Sequence, residues 1–328
     1  MRAPANKKIR SWLSLAVASV GLAVVTGSPA SAAAVSVDLC AKPGTVALPG
    51  APSVPIWGFA LKPIATSCDD VSVVATLPGP QLVVGEGDVV TINVTNALPS
   101  ATAPLHTVSL EVPGVSFAAG PTDADVGATV SRTFTASAPG TYLYQSAGDA
   151  GRQVAMGLYG ALIVRPTAAG QAYAPSSTAF DVEKILVLSA IDPSFNADPD
   201  TFDLNDYLAT YWLIKGQAHP DTPAIAATAG QRLLLRYVNA GFDNTSMTLL
   251  GMHQRVVARD AYLLNNPFDA DSETVPAGGT EDAIAVIPAT APPSPNGFPL
   301  YNRNLHVTNG TPPGLSYNPG GMLVFIKP

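Results

Sequence analysis

An eleven-residue segment recurs in this chain at an offset of 143 positions. Gly87-Asp88-Val89-Val90-Thr91-Ile92-Asn93-Val94-Thr95-Asn96-Ala97 returns as Gly230-Gln231-Arg232-Leu233-Leu234-Leu235-Arg236-Tyr237-Val238-Asn239-Ala240. In the first copy Val90, Ile92 and Val94 alternate with Thr91, Asn93 and Thr95, the period of a strand with one buried face. Leu233, Leu235 and Tyr237 take the matching face in the second copy. A glycine before and Asn-Ala after repeat the entry and exit turns, so the chain reads as two homologous β domains. Each half also closes on a similar run, Met156 to Val164 and Gly320 to Ile326.

Further strands are expected over 71–77, 129–136, 184–188, 211–214 and 283–287, separated by Pro78-Gly79, Pro113-Gly114, Pro139-Gly140 and Gly278-Gly279. Such spacing points to antiparallel β-sandwiches. No amphipathic helix of twelve residues or more is expected. The uncharged stretch 167–180 reads as a linker between the halves, and the Pro-rich stretch 288–299 as a long loop.

At the N-terminus Arg2, Lys7, Lys8 and Arg10 precede the apolar run from Leu13 to Val25 and then Ala30-Ser31-Ala32, the pattern of a bacterial secretory signal peptide over residues 1–32. The run is too short to span a bilayer, and no later segment comes closer, so a secreted protein without a transmembrane segment is expected. Only 12% of residues are charged and the formal net charge is −7, which disfavours a nucleic-acid partner because the phosphates would be repelled. Export makes a disulfide between the two cysteines, Cys40 and Cys68, the expected state, fastening an N-terminal extension over 33–69. A metal-thiolate site is the weaker reading, since no histidine lies before His106.

Leu77-Pro78-Gly79-Pro80-Gln81-Leu82, the first repeat with Leu98, Pro139-Gly140-Thr141-Tyr142-Leu143-Tyr144 and Gly157 to Val164 together resemble the first cupredoxin domain of multicopper oxidases, the laccase-like proteins. In the second half, Gly230 to Ala240 followed by Gly251-Met252-His253 and Asp260 is similar to a laccase-like second domain. The resemblance implies an all-β fold of two tandem cupredoxin-like Greek-key sandwiches, at 70–166 and 181–328. It also implies copper, held by His-x-His pairs and a cysteine thiolate.

The residues at those positions depart from the family. Its His-Trp-His-Gly falls on Glu111-Val112-Pro113-Gly114, and its His-Ser-His on Gln145-Ser146-Ala147. Glu111, Pro113, Gln145 and Ala147 therefore replace the ligands of the first domain. The four histidines, His106, His219, His253 and His306, form no His-x-His pair, and no cysteine follows Cys68. Remaining metal candidates are Met252, His253, His306 and Met322, weighed against ordinary packing roles. A side-chain hydrogen bond between Glu111 and Gln145 is expected in preference to a cation site, and His106 is expected on an exposed loop. These readings lead to a non-catalytic binding or structural protein with no catalytic residues, no cofactor and an unknown protein or surface partner. The alternative is a copper-dependent oxidoreductase or copper-binding protein with an unconventional His/Met site.

Overall fold

The structure, a computed structural model, describes residues 32–99, 106–310 and 319–328. The signal peptide expected over 1–32 lies outside these residues except for Ala32. The first half contributes β1 (Ala34–Leu48), β2 (Ala51–Leu61), β3 (Leu82–Gly85), β4 (Val89–Asn96), β5 (Val108–Ser109), β6 (Asp123–Ala124), β7 (Thr129–Thr135), β8 (Gly140–Gln145), the short helix α1 (Arg152–Met156) and β9 (Tyr159–Arg165). A sheet ordered β2-β1-β4-β7 packs on a sheet ordered β3-β9-β8. Between them lie Val90, Ile92 and Val94 from β4 and Tyr142, Tyr144, Leu162 and Val164 from β8 and β9. The alternation read in the first repeat is thus the inward face of β4.

The second half contributes β10 (Val182–Ile191), α2 (Pro193–Ala197), β11 (Tyr211–Ile214), β12 (Ile225–Ala226), β13 (Arg232–Asn239), β14 (Thr245–Leu249), β15 (Gln254–Arg259), β16 (Tyr262–Ala270), β17 (Ser272–Val275), β18 (Thr280–Val286), β19 (Phe298–Asn302) and β20 (Leu323–Lys327). Its sheets run β11-β10-β13-β18-β15-β16 and β12-β20-β19-β14-β17. Leu233, Leu235 and Tyr237 of β13 face Met247, Leu249, Leu300 and Val324 of the opposing sheet. The fold is therefore two tandem cupredoxin-like β-sandwiches. Among the described residues no helix is long and apolar enough to cross a membrane.

The two repeats end alike for a physical reason. Asn96 and Asn239 are both fully buried. Each amide donates to the carbonyl that ends a later strand, Ala124 of β6 at 2.9 Å for Asn96 and Val275 of β17 at 2.9 Å for Asn239. Each amide oxygen accepts the main-chain N–H two residues on, at 3.1 Å from Leu98 and 3.0 Å from Gly241. One side chain thereby closes the turn and supplies partners to the backbone groups around it. At the other end Gly87 and Gly230 sit at φ +91° and +85°, where a Cβ is strained.

One strand expectation is corrected. Residues 71–77 do not form a strand; Val73 and Ala75 alternate inward, but only Thr76 bridges, its N–H on the Phe59 carbonyl at 3.2 Å. The carbonyls of Cys68 and Val73 are instead taken by the Lys42 ammonium at 2.6 and 2.8 Å, which pins the segment without a ladder. Within the N-terminal extension, residues 34–61 form the hairpin β1–β2, with β1 parallel to β4 over residues 34–41. Pro43 and Pro55 fit because β2 is an edge strand and β1 has no second neighbour at Pro43. The tip of the hairpin reaches the second half, where Leu48 and Val54 pack on Ile191, Tyr211 and Leu213. The Cys40–Cys68 disulfide is formed, with Cα atoms 5.8 Å apart.

The outer face of β8 and β9 packs on the outer face of β10 and β13, through Leu143, Tyr159, Ala161, Val187 and Val238. Both faces of these strands are covered, so they read as continuous apolar runs rather than alternating ones.

Candidate functional site

Glu111 follows β5, and Gln145 ends β8. The N–H of Glu111 donates to the Gln145 carbonyl at 2.8 Å, and the N–H of Gln145 to the Glu111 carbonyl at 2.9 Å. The expected side-chain hydrogen bond is thus replaced by a main-chain bridge, which leaves the Glu111 side chain exposed. Pro113 and Ala147 are exposed as well, and Gln145 is half-buried. Alternation explains the arrangement: the residues between them, Val112 and Ser146, are the buried ones.

Beneath the bridge lies a dry polar cluster that sequence reasoning missed. Ser146 Oγ donates to Gln153 Oε1 at 2.6 Å and accepts the Ser109 N–H at 3.1 Å. Ser109 Oγ accepts the Ala147 N–H at 2.8 Å, and Gln153 Nε2 donates to the Thr107 carbonyl at 2.9 Å. Helix α1 exists to deliver Gln153, whose side chain is fully buried. Donors and acceptors here are matched in pairs, which is what an apolar interior demands of hydroxyls and amides.

His106 is not an exposed loop residue but buried. Its ring meets Trp57 edge-on at 4.9 Å, its Nδ1 contacts the Pro99 carbonyl, and its Nε2 lies 3.1 Å from Asp200 Oδ1. Its nitrogens are committed, so it bridges the first half to the α2–β11 connection. His219 packs edge-on to Phe325 at 5.9 Å, and burial pulls its pKa below the usual imidazole value.

The four candidate donors of the second half divide. Met252 joins the core, whereas His253 is exposed and pairs with Asp271 at 2.6 Å. His306 and Met322 converge on one neighbour. Asn302 Nδ2 lies 3.3 Å from Met322 Sδ and 3.5 Å from His306 Nδ1. The His306 ring stacks on Trp212 at 4.5 Å with an interplanar angle of 13°, and burial lowers its pKa. An imidazole and a thioether are suitable donors for cuprous copper, but among the described residues no third such donor joins them. Among the described residues no group of three or more His, Cys, Asp or Glu is arranged to hold a metal ion.

Residues 65–169 match the family model of multicopper oxidases. No curated protein matches the chain. Among solved structures it is similar to the blue copper oxidase of Nitrosomonas europaea, at 22% identity and TM-score 0.72, over 89% of this chain and 85% of that one. The multicopper oxidase mgLAC is similar at 21% identity and TM-score 0.72, over 90% and 87% of the two chains. A copper nitrite reductase from Nitrosomonas europaea follows at 19% identity and TM-score 0.64, over 90% and 94%.

These findings overturn the expectation of no cofactor, because the matched family and the similar structures are copper proteins and copper is the cofactor such a scaffold implies. Glu111, Pro113, Gln145 and Ala147, the residues expected at the first-domain ligand positions, nevertheless do not fit it. Pro113 and Ala147 carry no donor, and the Ser109–Ser146–Gln153 cluster behind them has its hydrogen bonds closed among themselves and the backbone. Residues 65–169 are thus similar to multicopper oxidases, and the fold is that of two cupredoxin-like sandwiches.

Proposed function

We propose that the chain is a secreted, non-catalytic binding or structural protein on a multicopper-oxidase scaffold. Its parts are a signal peptide at 1–32, an N-terminal region at 33–69, sandwiches at 70–166 and 181–328, and a connecting segment at 167–180. The observation that supports the reading is the Glu111–Gln145 main-chain bridge above the closed Ser109–Ser146–Gln153 cluster, where the sequence resemblance leads us to expect the first-domain ligands. Redox catalysis there needs donors that these side chains lack. The partner is a protein or surface, met by rigid sheets and Pro/Gly-rich loops.

A copper-binding protein or copper-dependent oxidoreductase is the second reading, favoured by the meeting of His306 and Met322 at Asn302. The deciding experiment loads the purified protein with copper and measures metal content, absorption, electron paramagnetic resonance and oxygen uptake with a phenol. The first reading expects no phenol-dependent oxygen uptake at any copper loading. Uptake that rises with copper content, and falls in His306→Ala, overturns it in favour of the second.

A further inference from the structure

A cavity of about 880 Å3 forms an open groove at the edge of the second sandwich, away from Glu111 and Gln145. Strand register explains its composition. Arg232 stands opposite Val286, Arg255 opposite Ile284, and Asp269 opposite Arg255, so all five side chains share the outer face of the β13-β18-β15-β16 sheet. The β14–β15 turn, with Leu250, Met252 and His253, and the outer residues Tyr301 and Arg303 form the other wall. The groove thus has an apolar floor and a charged rim. Ile284 and Met252 are buried, while Leu250 and Val286 remain 46% and 52% exposed, apolar surface left open to water.

The rim carries more positive than negative charge, in a chain whose formal net charge is −7. Arg303 has no side-chain hydrogen bond or ion pair among the described residues. Arg232 spends its guanidinium on the carbonyls of Ala179 and Ser177, both at 2.6 Å, so its charge is not neutralised by a carboxylate. Arg255 meets Asp269 at 3.3 Å with both groups about half exposed, a weak pair. His253 is taken by Asp271. Three guanidiniums therefore face two carboxylates. A guanidinium recognises a carboxylate through paired N–H donors, and the apolar floor takes up a hydrocarbon body. The two aspartates repel a second or third negative charge, which disfavours phosphate esters and nucleotides.

We propose that this groove binds an amphipathic organic monoanion, a carboxylate on an aromatic or branched hydrocarbon body, oriented by Arg303 and Arg255. The inference deepens the binding-protein reading by naming a ligand class and a site. Calorimetric titration of the purified protein with 2-naphthoate, with neutral 2-naphthalenemethanol and with dianionic 2-naphthyl phosphate tests it. Saturable one-to-one binding of 2-naphthoate is expected, about ten-fold tighter than either of the others. Arg303→Gln with Arg255→Gln should remove that preference and leave binding of the alcohol unchanged. Both residues are exposed, and an unaltered melting temperature will show that the variant is folded. Should the variant fail to fold, Val286→Glu at the exposed floor, expected to weaken 2-naphthoate binding, takes its place. The proposal is overturned by non-saturating heats, by equal affinity for acid and alcohol, or by a folded double variant that binds 2-naphthoate as the parent does. That failure leaves the non-catalytic reading standing, whereas copper-dependent oxygen uptake removes that reading without touching the groove.

Discussion

The wholly buried guanidinium of Arg236 donates from Nη1 to Asp282 Oδ2 at 3.0 Å, in the plane where the two sandwiches meet. Its Nε donates to Glu183 Oε1 at 2.6 Å. From the first sandwich Thr141 Oγ1 donates to Asp282 Oδ1 at 2.6 Å, and Tyr173 adds its hydroxyl to Asp282 Oδ2 at 2.5 Å. Asp282→Ala is expected to cost about 3–5 kcal/mol, because it takes one of two carboxylates from a buried cation and leaves the Thr141 and Tyr173 hydroxyls without their acceptor. Arg236→Met with Asp282→Leu should recover part of that loss, since the buried cation is removed and Glu183 keeps Arg165, while the two hydroxyls still lack their acceptor. Urea denaturation of the single and double variants measures both.

Glu183 and Glu281 respond to pH in opposite senses. Burial alone would raise the Glu183 pKa, but Arg165 and Arg236 outweigh it and hold the carboxyl below its ordinary value. Its contribution to stability is therefore present above the unfolded pKa and is lost as pH falls through the folded one. Glu183→Gln should flatten the acid limb of the unfolding curve.

Glu281 is buried at 1% exposure, beside Glu273 and 3.1 Å from Arg259 Nε, and its Oε1 has no partner. Burial, with Glu273 adding to it, pushes its pKa up to about 8 from an ordinary 4.5. A raised folded pKa gives stability that is complete below the unfolded value and lost as pH climbs through about 8. The melting temperature of Glu281→Gln, followed from pH 5 to pH 9, should decline less than that of the parent. A parallel decline in the two proteins refutes the assignment.

Removing the Cys40–Cys68 bond releases a loop of 28 residues, for which chain entropy gives about 3.6 kcal/mol. The paired substitution Cys40→Ala with Cys68→Ala should lose stability of this order in denaturant. The lost contacts should concentrate in β1 and β2, whose amides will exchange faster with solvent deuterium.

Asn96→Ala and Asn239→Ala should each cost about 1–3 kcal/mol, because each removes the side-chain partner of main-chain carbonyls and of an N–H at a buried turn. Asn→Asp at either position retains the acceptor for the following N–H but loses the donors. It should fall between parent and Ala only when the carboxyl is protonated, which a pH series of melting curves resolves.

Much of the fold was legible because its signals are local. Val90, Ile92 and Val94 alternate with polar residues whatever lies around them, and the Asn-Ala exits carry their own hydrogen-bonding logic. The β1–β2 hairpin was not legible, since Pro43, Pro55 and Gly58 are turn formers in isolation and become strand residues only where a ladder partner is absent or the edge is open. Residues 71–77 failed in the opposite direction: they alternate like a strand, but Lys42 claims the carbonyls that a ladder would use.

The sequence by itself determined the repeat, the two sandwiches and the disulfide, because periodicity and residue identity are properties of the chain. Only the tertiary structure decided that His106 is buried while His253 is exposed, that Ser109, Ser146 and Gln153 close on one another, and that Arg303 and Arg255 rim one apolar groove. These depend on which strands become neighbours and in what register, and residues that meet there are separated along the chain by distances no local pattern encodes.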